Sequence, residues 1–318
     1  MKALVARYYG PLEELEIVEL PTPVPGPGQL LVRLEAAALN AVDKALVTGA
    51  MRDAIPVTHP FVPGVDVSGT VEAVGDGVTR FVPGDPVIAW SSVASGALAE
   101  YVVIDDAPSA ARRPAELTPA QGAALPTGAL TAAALLDLAD VPRGSTALIV
   151  GATGGVGSYT VQFAQRAGLT VLATGRADDE GFLRGLGADH VLDYRAVDIA
   201  EEAHRLVPGG VDVVFDMANA GPALTATAVA ARPGGRLVSP LGGPPAFDRD
   251  VTALYGGTRA TEGRLASLAA QAVKGELRIP IDADYPFAEA RQALLDFAGR
   301  HVKGKITVTF RRRDLPAS

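Results

Sequence analysis

The chain contains no cysteine. That absence removes disulfides, cysteine-ligated zinc, iron–sulfur clusters and a thiol nucleophile from consideration. Histidine is nearly as scarce: His59, His190, His204 and His301 are the whole set, with no HExxH or His-x-His spacing. A histidine metal site would have to be assembled entirely by the fold. Tryptophan occurs once, at Trp90, and aromatic residues make up 5% of the chain. Positive charge is not in excess either. Against 28 Lys and Arg stand 36 Asp and Glu, a formal charge of −8, so nucleic acid and anionic lipid are not expected partners. Long apolar runs are interrupted. Residues 117–136 and 144–165 carry no charge, but proline and glycine break them and Ala, Gly and Thr dominate, too weakly apolar to span lipid. Glu13, Glu14 and Glu16 precede any apolar stretch of signal-peptide length. The sequence therefore predicts a soluble, cytoplasmic protein with neither a membrane nor a nucleic-acid partner.

What is present is a chain of 318 residues, 48% hydrophobic, long enough for two domains. Proline and short β-type runs dominate the first ~115 residues. Pro21, Pro23, Pro25 and Pro27 fall within eight residues, which excludes helix and central strand there. Strands are expected at 2–7, 14–20, 29–38, 66–74, 85–89 and 101–104, forming a mostly antiparallel β domain. From about Ala123 the rhythm changes. Apolar strands at 146–150, 170–174, 191–194, 211–216 and 236–241 alternate with helices at 158–167, 178–186, 199–207 and 223–231, the pattern of βαβ units on a buried parallel sheet. Helices at 262–274 and 287–299 and a strand at 305–310 follow. This tail is expected to return to the first domain. The division is therefore 1–122 plus 261–318 around an inserted 123–260.

The most informative segment is Gly151-Ala152-Thr153-Gly154-Gly155-Val156-Gly157-Ser158. A glycine-rich turn between a buried strand and a helix lets backbone approach a pyrophosphate, and the helix start supplies free N–H groups. An enzyme for NAD usually carries an acid at the tip of the next strand, to hold the ribose 2′-hydroxyl. Here the tip reads Thr174-Gly175-Arg176. A cation there welcomes a 2′-phosphate, which predicts NADPH. Asp178 and Asp179 lie close by and weigh against it. Tyr194, ending the third strand, either covers the phosphate side or belongs to the core.

Taken together, these residues resemble the medium-chain dehydrogenase/reductase superfamily, in its zinc-free quinone oxidoreductase (zeta-crystallin-like) branch. The resemblance runs through Asn40-Ala41-Val42-Asp43, Pro63-Gly64-Val65-Asp66, Val82-Pro83-Gly84-Asp85, Gly96-Ala97-Leu98-Ala99-Glu100-Tyr101, Leu130-Thr131-Ala132, the glycine loop, Gly234-Gly235-Arg236 and Gly304-Lys305-Ile306. It implies an α/β fold, a Rossmann doubly wound parallel sheet inserted into a mostly β GroES-like catalytic domain. Zinc-dependent relatives have Gly-His-Glu where this chain has Gly64-Val65-Asp66, so no metal is expected. The resemblance further implies that Asn40 and Asp43 lie near nicotinamide and substrate, or else cap a turn. Thr131 would sit by the nicotinamide, Gly154, Gly155 and Val156 by the pyrophosphate, and Gly175, Arg176 and Tyr194 by the 2′-phosphate ribose. Ser239 and Leu241 would approach the nicotinamide through backbone. A homodimer is implied too. The tyrosines that many relatives carry after the Asn-x-x-Asp are missing from 44–51, and Trp90 either lines the pocket or belongs to the core.

Without a Lewis acid, a hydride donor suits substrates already activated by conjugation. The expected reaction is transfer from C4 of NADPH to a quinone or an α,β-unsaturated carbonyl. The developing anion would be stabilised by backbone N–H groups, Asn40 or Lys44. Orienting the reactants can contribute about 7–11 kcal/mol. Two other readings fit the same loop: an enoyl-thioester reductase of polyketide or fatty-acyl type, and a non-catalytic NADPH-binding protein.

Overall fold

The structure, a computed structural model, describes residues 1–91 and 96–310. In chain order the first half runs β1 (Lys2–Val5), β2 (Glu16–Glu19), β3 (Gln29–Ala38), α1 (Ala41–Thr48), β4 (Asp66–Val74), β5 (Pro86–Trp90), β6 (Tyr101–Asp105), β7 (Ala110–Arg112), α2 (Pro119–Ala124) and α3 (Pro126–Ala139). Then come β8 (Thr146–Val150), α4 (Gly157–Arg166), β9 (Thr170–Gly175), α5 (Glu180–Leu186), β10 (His190–Asp193), α6 (Ile199–Leu206), β11 (Val211–Asp216), α7 (Leu224–Ala228), β12 (Ala231–Ser239) and β13 (Thr252–Tyr255). The tail adds α8 (Arg264–Val273), β14 (Ile281–Pro286), α9 (Ala290–Gly299) and β15 (Lys305–Thr309). The chain divides into one compact unit of Met1–Thr127 with Ala260–Ser318 and a second of Gly128–Arg259.

The second unit is a parallel sheet in the order β10-β9-β8-β11-β12-β13. Numbered from its own first strand, this is 3-2-1-4-5-6, the doubly wound dinucleotide-binding order, with its reversal between β8 and β11. Neighbouring side chains on each strand enter opposite cores. Ile149, Val171, Val213 and Phe215 pack in one cluster, whereas Leu148, Leu172 and Val214 pack in another. Both faces are therefore covered, which is why these strands read as unbroken apolar runs. The first unit holds a sheet ordered β14-β15-β3-β4-β5-β7, with β6 also on β3. Its pairings are antiparallel except β14 with β15. Leu30, Val32 and Leu34 of β3 face a core that includes Leu294 of α9 and the stacked rings of Phe287 and Phe310.

Several expectations need correction. Residues 123–127 and Ala260 fall in the first unit, because α2 packs on β3, β4 and β15. Residues 41–48 are helical, and β7, β13 and β14 were not expected. The 223–231 helix shrinks to Leu224–Ala228, since β12 already begins at Ala231, with a register shift against β11. The charge-free stretch also departs from expectation. Pro119–Ala139 is long and apolar enough, by length and composition, to cross a membrane, with mean hydropathy 1.4, but 78% of it is buried inside the protein. It reads as core.

The packing of α4 on β8 depends on one missing methyl. A Cβ on Gly157 would lie 2.1 Å from the Gly151 carbonyl oxygen and 2.8 Å from the Ala152 Cα, both backbone, whereas one on Gly154 would meet only the Gly151 carbonyl, at 3.4 Å. Gly157→Ala should lower the unfolding free energy by about 1–3 kcal/mol in urea titration. Gly154→Ala should change it by less than about 0.5 kcal/mol. Equal effects would show that helix and strand do not meet this closely.

Candidate functional site

Functional candidates in the second unit gather where its parallel strands end. β8 ends at Val150, and Gly151, in the left-handed region at φ +76°, turns the chain toward α4. Its N–H donates to Thr174 Oγ1 of β9 (3.2 Å), tying the loop to the neighbouring strand. The Gly154 N–H closes a turn on the Gly151 carbonyl at 3.1 Å. Gly155, Val156 and Gly157 donate no backbone hydrogen bond among the described residues. The fully buried Ser158 hydroxyl also lacks a partner. Unspent donors at a helix start, beside a glycine whose Cβ would meet little, form a cradle that fits a diphosphate.

At the next two strand ends, Arg176 Nε donates to the Tyr194 hydroxyl at 2.9 Å. The Tyr194 N–H reaches the Gly175 carbonyl (3.2 Å), which brings the β9 and β10 ends together. Tyr194 is 44% exposed, so it is not a core residue. Asp179 is fully buried and its carboxylate accepts the Arg176 N–H at 2.8 Å. It is turned back into its own loop. Gly175 lies tight against Leu183 and Asp179, where a Cβ would fall 2.7 and 3.1 Å from their side chains.

The remaining cofactor candidates are spread along the same unit. Thr131, buried on α3, shares a 2.7 Å hydrogen bond with Thr258. Ser239 ends β12 with its hydroxyl accepting the Leu241 N–H at 3.1 Å, and Leu241 itself is 44% exposed. Two residues the sequence did not single out shape these ends: Thr258, and Asp216 at the tip of β11. Asp216 accepts the Ala218 and Asn219 N–H groups, the Asn219 amide and the Thr227 hydroxyl. An acid that closes an apolar strand is the sequence signal for it.

The first unit carries a buried polar cluster built around Asn40 and Asp43. Asp43, at the third position of α1, accepts the Asn40 N–H at 2.7 Å and the Gly64 N–H at 3.0 Å. It thus clamps the start of α1 to the loop before β4. The Asn40 amide donates to the Ala38 carbonyl (3.1 Å) and to Asp66 Oδ2 (2.9 Å). Lys305 Nζ donates to Asn40 Oδ1 at 2.6 Å and to Asp66 Oδ2 at 2.9 Å. Asp66 Oδ1 accepts both the N–H and the hydroxyl of Thr127, at 2.8 and 2.6 Å. This corrects the expected role of Asn40: both its amide protons are spent, so it has none for a substrate oxyanion. Lys44 does not join the cluster. It is exposed, one residue and about 100° of helix from buried Asp43. The cation of the cluster is Lys305.

Burial, reinforced by the neighbouring Asp66 charge, raises the Asp43 carboxyl from its ordinary value to about 7, against the lowering pull of its two N–H donors and Lys305. A folded-state pKa above the unfolded one means the native protein binds more protons between roughly pH 4 and 7. Stability from this group is thus present at low pH and lost as pH rises through 7. Melting temperature should fall from pH 5.5 to 8.5, and Asp43→Asn should flatten that slope while lowering stability by about 1–3 kcal/mol, because one N–H loses its acceptor. An unchanged slope in the variant would remove Asp43 as its source.

Comparison with known proteins places this geometry. Residues 26–113 match the alcohol dehydrogenase GroES-like domain family, and residues 186–308 match the zinc-binding dehydrogenase family. A chloroplastic quinone-oxidoreductase homolog of Spinacia oleracea is 43% identical over 59% of this chain and 59% of that protein. The aligned part thus spans under two thirds of that relative. A chloroplast envelope quinone oxidoreductase homolog of Arabidopsis thaliana is 38% identical over 68% of this chain and 67% of its own. A mycocerosic acid synthase-like polyketide synthase of Mycobacterium tuberculosis is 33% identical over 95% of this chain and 15% of its own. Among solved structures, the quinone oxidoreductase from Coxiella burnetii superposes with a TM-score of 0.87 at 27% identity over 98% and 99% of the two chains. An NAD-dependent alcohol dehydrogenase gives 0.86 at 30% over 97% and 99%.

Two points follow from these likenesses. The expected cytoplasmic location is overturned, because the plant relatives are chloroplast proteins. Despite the zinc in one family description, the donor set here does not fit that metal. The chain has no cysteine, the described residues hold no group of three His, Cys, Asp or Glu, and Asp66 already binds an ammonium. Fold, motifs and relatives agree: the chain belongs to the medium-chain dehydrogenase/reductase superfamily, in its quinone oxidoreductase-like branch.

Proposed function

We propose that the protein is an NADPH-dependent, zinc-independent reductase that delivers a hydride to a quinone or an α,β-unsaturated carbonyl. The observation that carries the coenzyme choice is the Arg176–Tyr194 pair at the ends of β9 and β10, with Asp179 turned inward. A guanidinium and a phenol in this place offer charge-assisted and neutral hydrogen bonds to a 2′-phosphate, at the strand tip where an NAD enzyme usually carries an acid. A bound reduced nicotinamide supplies the hydride. The unspent N–H groups of 155–157 and the Ser158 hydroxyl hold the diphosphate. Ser239 and Thr131 shape the nicotinamide end of the unit. Asn40, fixed by Lys305 and Asp66, orients rather than donates, and the anion left on the reduced substrate takes its proton from water.

The polyketide synthase relative favours a second reading, reduction of an enoyl thioester, since its likeness covers nearly the whole of this chain. NADPH oxidation assayed with 1,4-benzoquinone, a simple enone and a crotonyl thioester separates the two. Turnover of the first two supports the proposal, and preference for the thioester supports the second reading. Tight NADPH binding with no turnover would leave only a binding protein. Arg176→Ala should raise the dissociation constant for NADPH about 10- to 100-fold while changing that for NADH little. Equal effects on both would take Arg176 out of the 2′-phosphate site.

A further inference from the structure

Lys305 and Asp66 are 2% and 0% exposed, and their charges face each other at 2.9 Å. A pair so far from water persists only when the remaining lone pairs and protons are satisfied as well. Asp66 meets that condition fully. Four donors occupy its two oxygens: the Asn40 amide, Lys305 Nζ, and the N–H and hydroxyl of Thr127. Asn40 turns its amide oxygen to the same ammonium. The approach of Lys305 is itself engineered into the backbone. Gly304 is left-handed at φ +99°, and a Cβ on it would lie 2.4 Å from the Pro280 carbonyl, the same oxygen that accepts the Lys305 N–H at 3.0 Å. The cluster therefore has the form of a seat for one small cation, lined by an amide oxygen and a carboxylate oxygen at 2.6 and 2.9 Å. Those distances suit an ammonium and are too long for a transition metal, which needs about 2.0–2.2 Å.

We propose that Lys305 is a positioning residue whose ammonium permanently occupies this seat, and that removing its side chain turns the seat into a binding site for a small alkylammonium ion. The inference deepens the proposed reductase function, because the seat fixes Asn40, yet its binding arm does not depend on any turnover.

The test uses the full chain with Lys305→Ala. The variant should melt at a lower temperature than the wild type. Methylammonium chloride should restore much of that loss, whereas tetramethylammonium chloride at equal ionic strength should not. The wild type should respond to neither. NADPH affinity, read by nucleotide fluorescence, should stay unchanged, while kcat with quinone falls about 10- to 100-fold and recovers with methylammonium. If the wild type oxidises no NADPH, the reductase reading fails while the melting experiment still decides the seat. A variant that melts like the wild type, or ignores methylammonium, overturns the proposal. Should Lys305→Ala not fold unaided, it is refolded from urea with and without methylammonium chloride. A folded fraction recovered only with methylammonium supports the proposal. Recovery with neither salt, or equally with tetramethylammonium, overturns it.

Discussion

An ammonium and a carboxylate withdrawn from water hold the first unit together at the point where its elements converge. Asp66 opens β4, Lys305 opens β15, Asn40 follows β3, and Thr127 lies in the first turn of α3. Desolvating both charges is costly, and the geometry compensates only because every oxygen of Asp66 is engaged. The arrangement is consequently intolerant of partial change. Loss of either charge strands the other out of water, in a sheet where Asp66 pairs with Ala38. Asp43 sits one shell further out, and its backbone clamp keeps Asn40 aligned with the ammonium.

The second unit solves a different problem. Its sheet interior is largely apolar, and the polar groups that shape the candidate site lie where strands stop. Thr174, Arg176, Tyr194, Asp216 and Ser239 all occupy such ends. Each is bonded within its own loop or to the adjacent strand end, so the rim keeps its shape without a ligand to organise it. Pre-organisation of this kind lowers the ordering cost of binding. The donors left unspent belong to the glycine loop and the first turn of α4.

Much of this was legible in the sequence. β8, β9 and β11 announce themselves as apolar runs bounded by glycine, and the loop after β8 shows its glycines where backbone must approach closely. Arg176 stood out because a cation replaced an acid. Other features left weaker marks. β13 is four residues at a sheet edge, one exposed and three half-buried, and β14 alternates Asp282 and Asp284 with small or apolar residues, which conceals it. Lys305 and Asp66 are 239 residues apart, and no local pattern joins them. Their signal was a charge at the first position of each of two strands. Lys44 follows Asp43 in sequence yet stays outside the cluster, because consecutive helical residues face different ways.

The interleaving of the two units also sets the order in which the protein can be completed on the ribosome. The second unit is continuous and has all its strands once residue 259 has emerged, whereas the first still lacks β14 and β15. β15 pairs with Ala36–Ala38 of β3, beyond the part that β6 covers, so until it arrives that end of β3 is open and liable to pair wrongly. Asp66 waits through this interval without its counter-charge. β15, the later of the two in chain order, brings the ammonium, and its pairing with β3 both extends the sheet and gives the carboxylate its counter-charge.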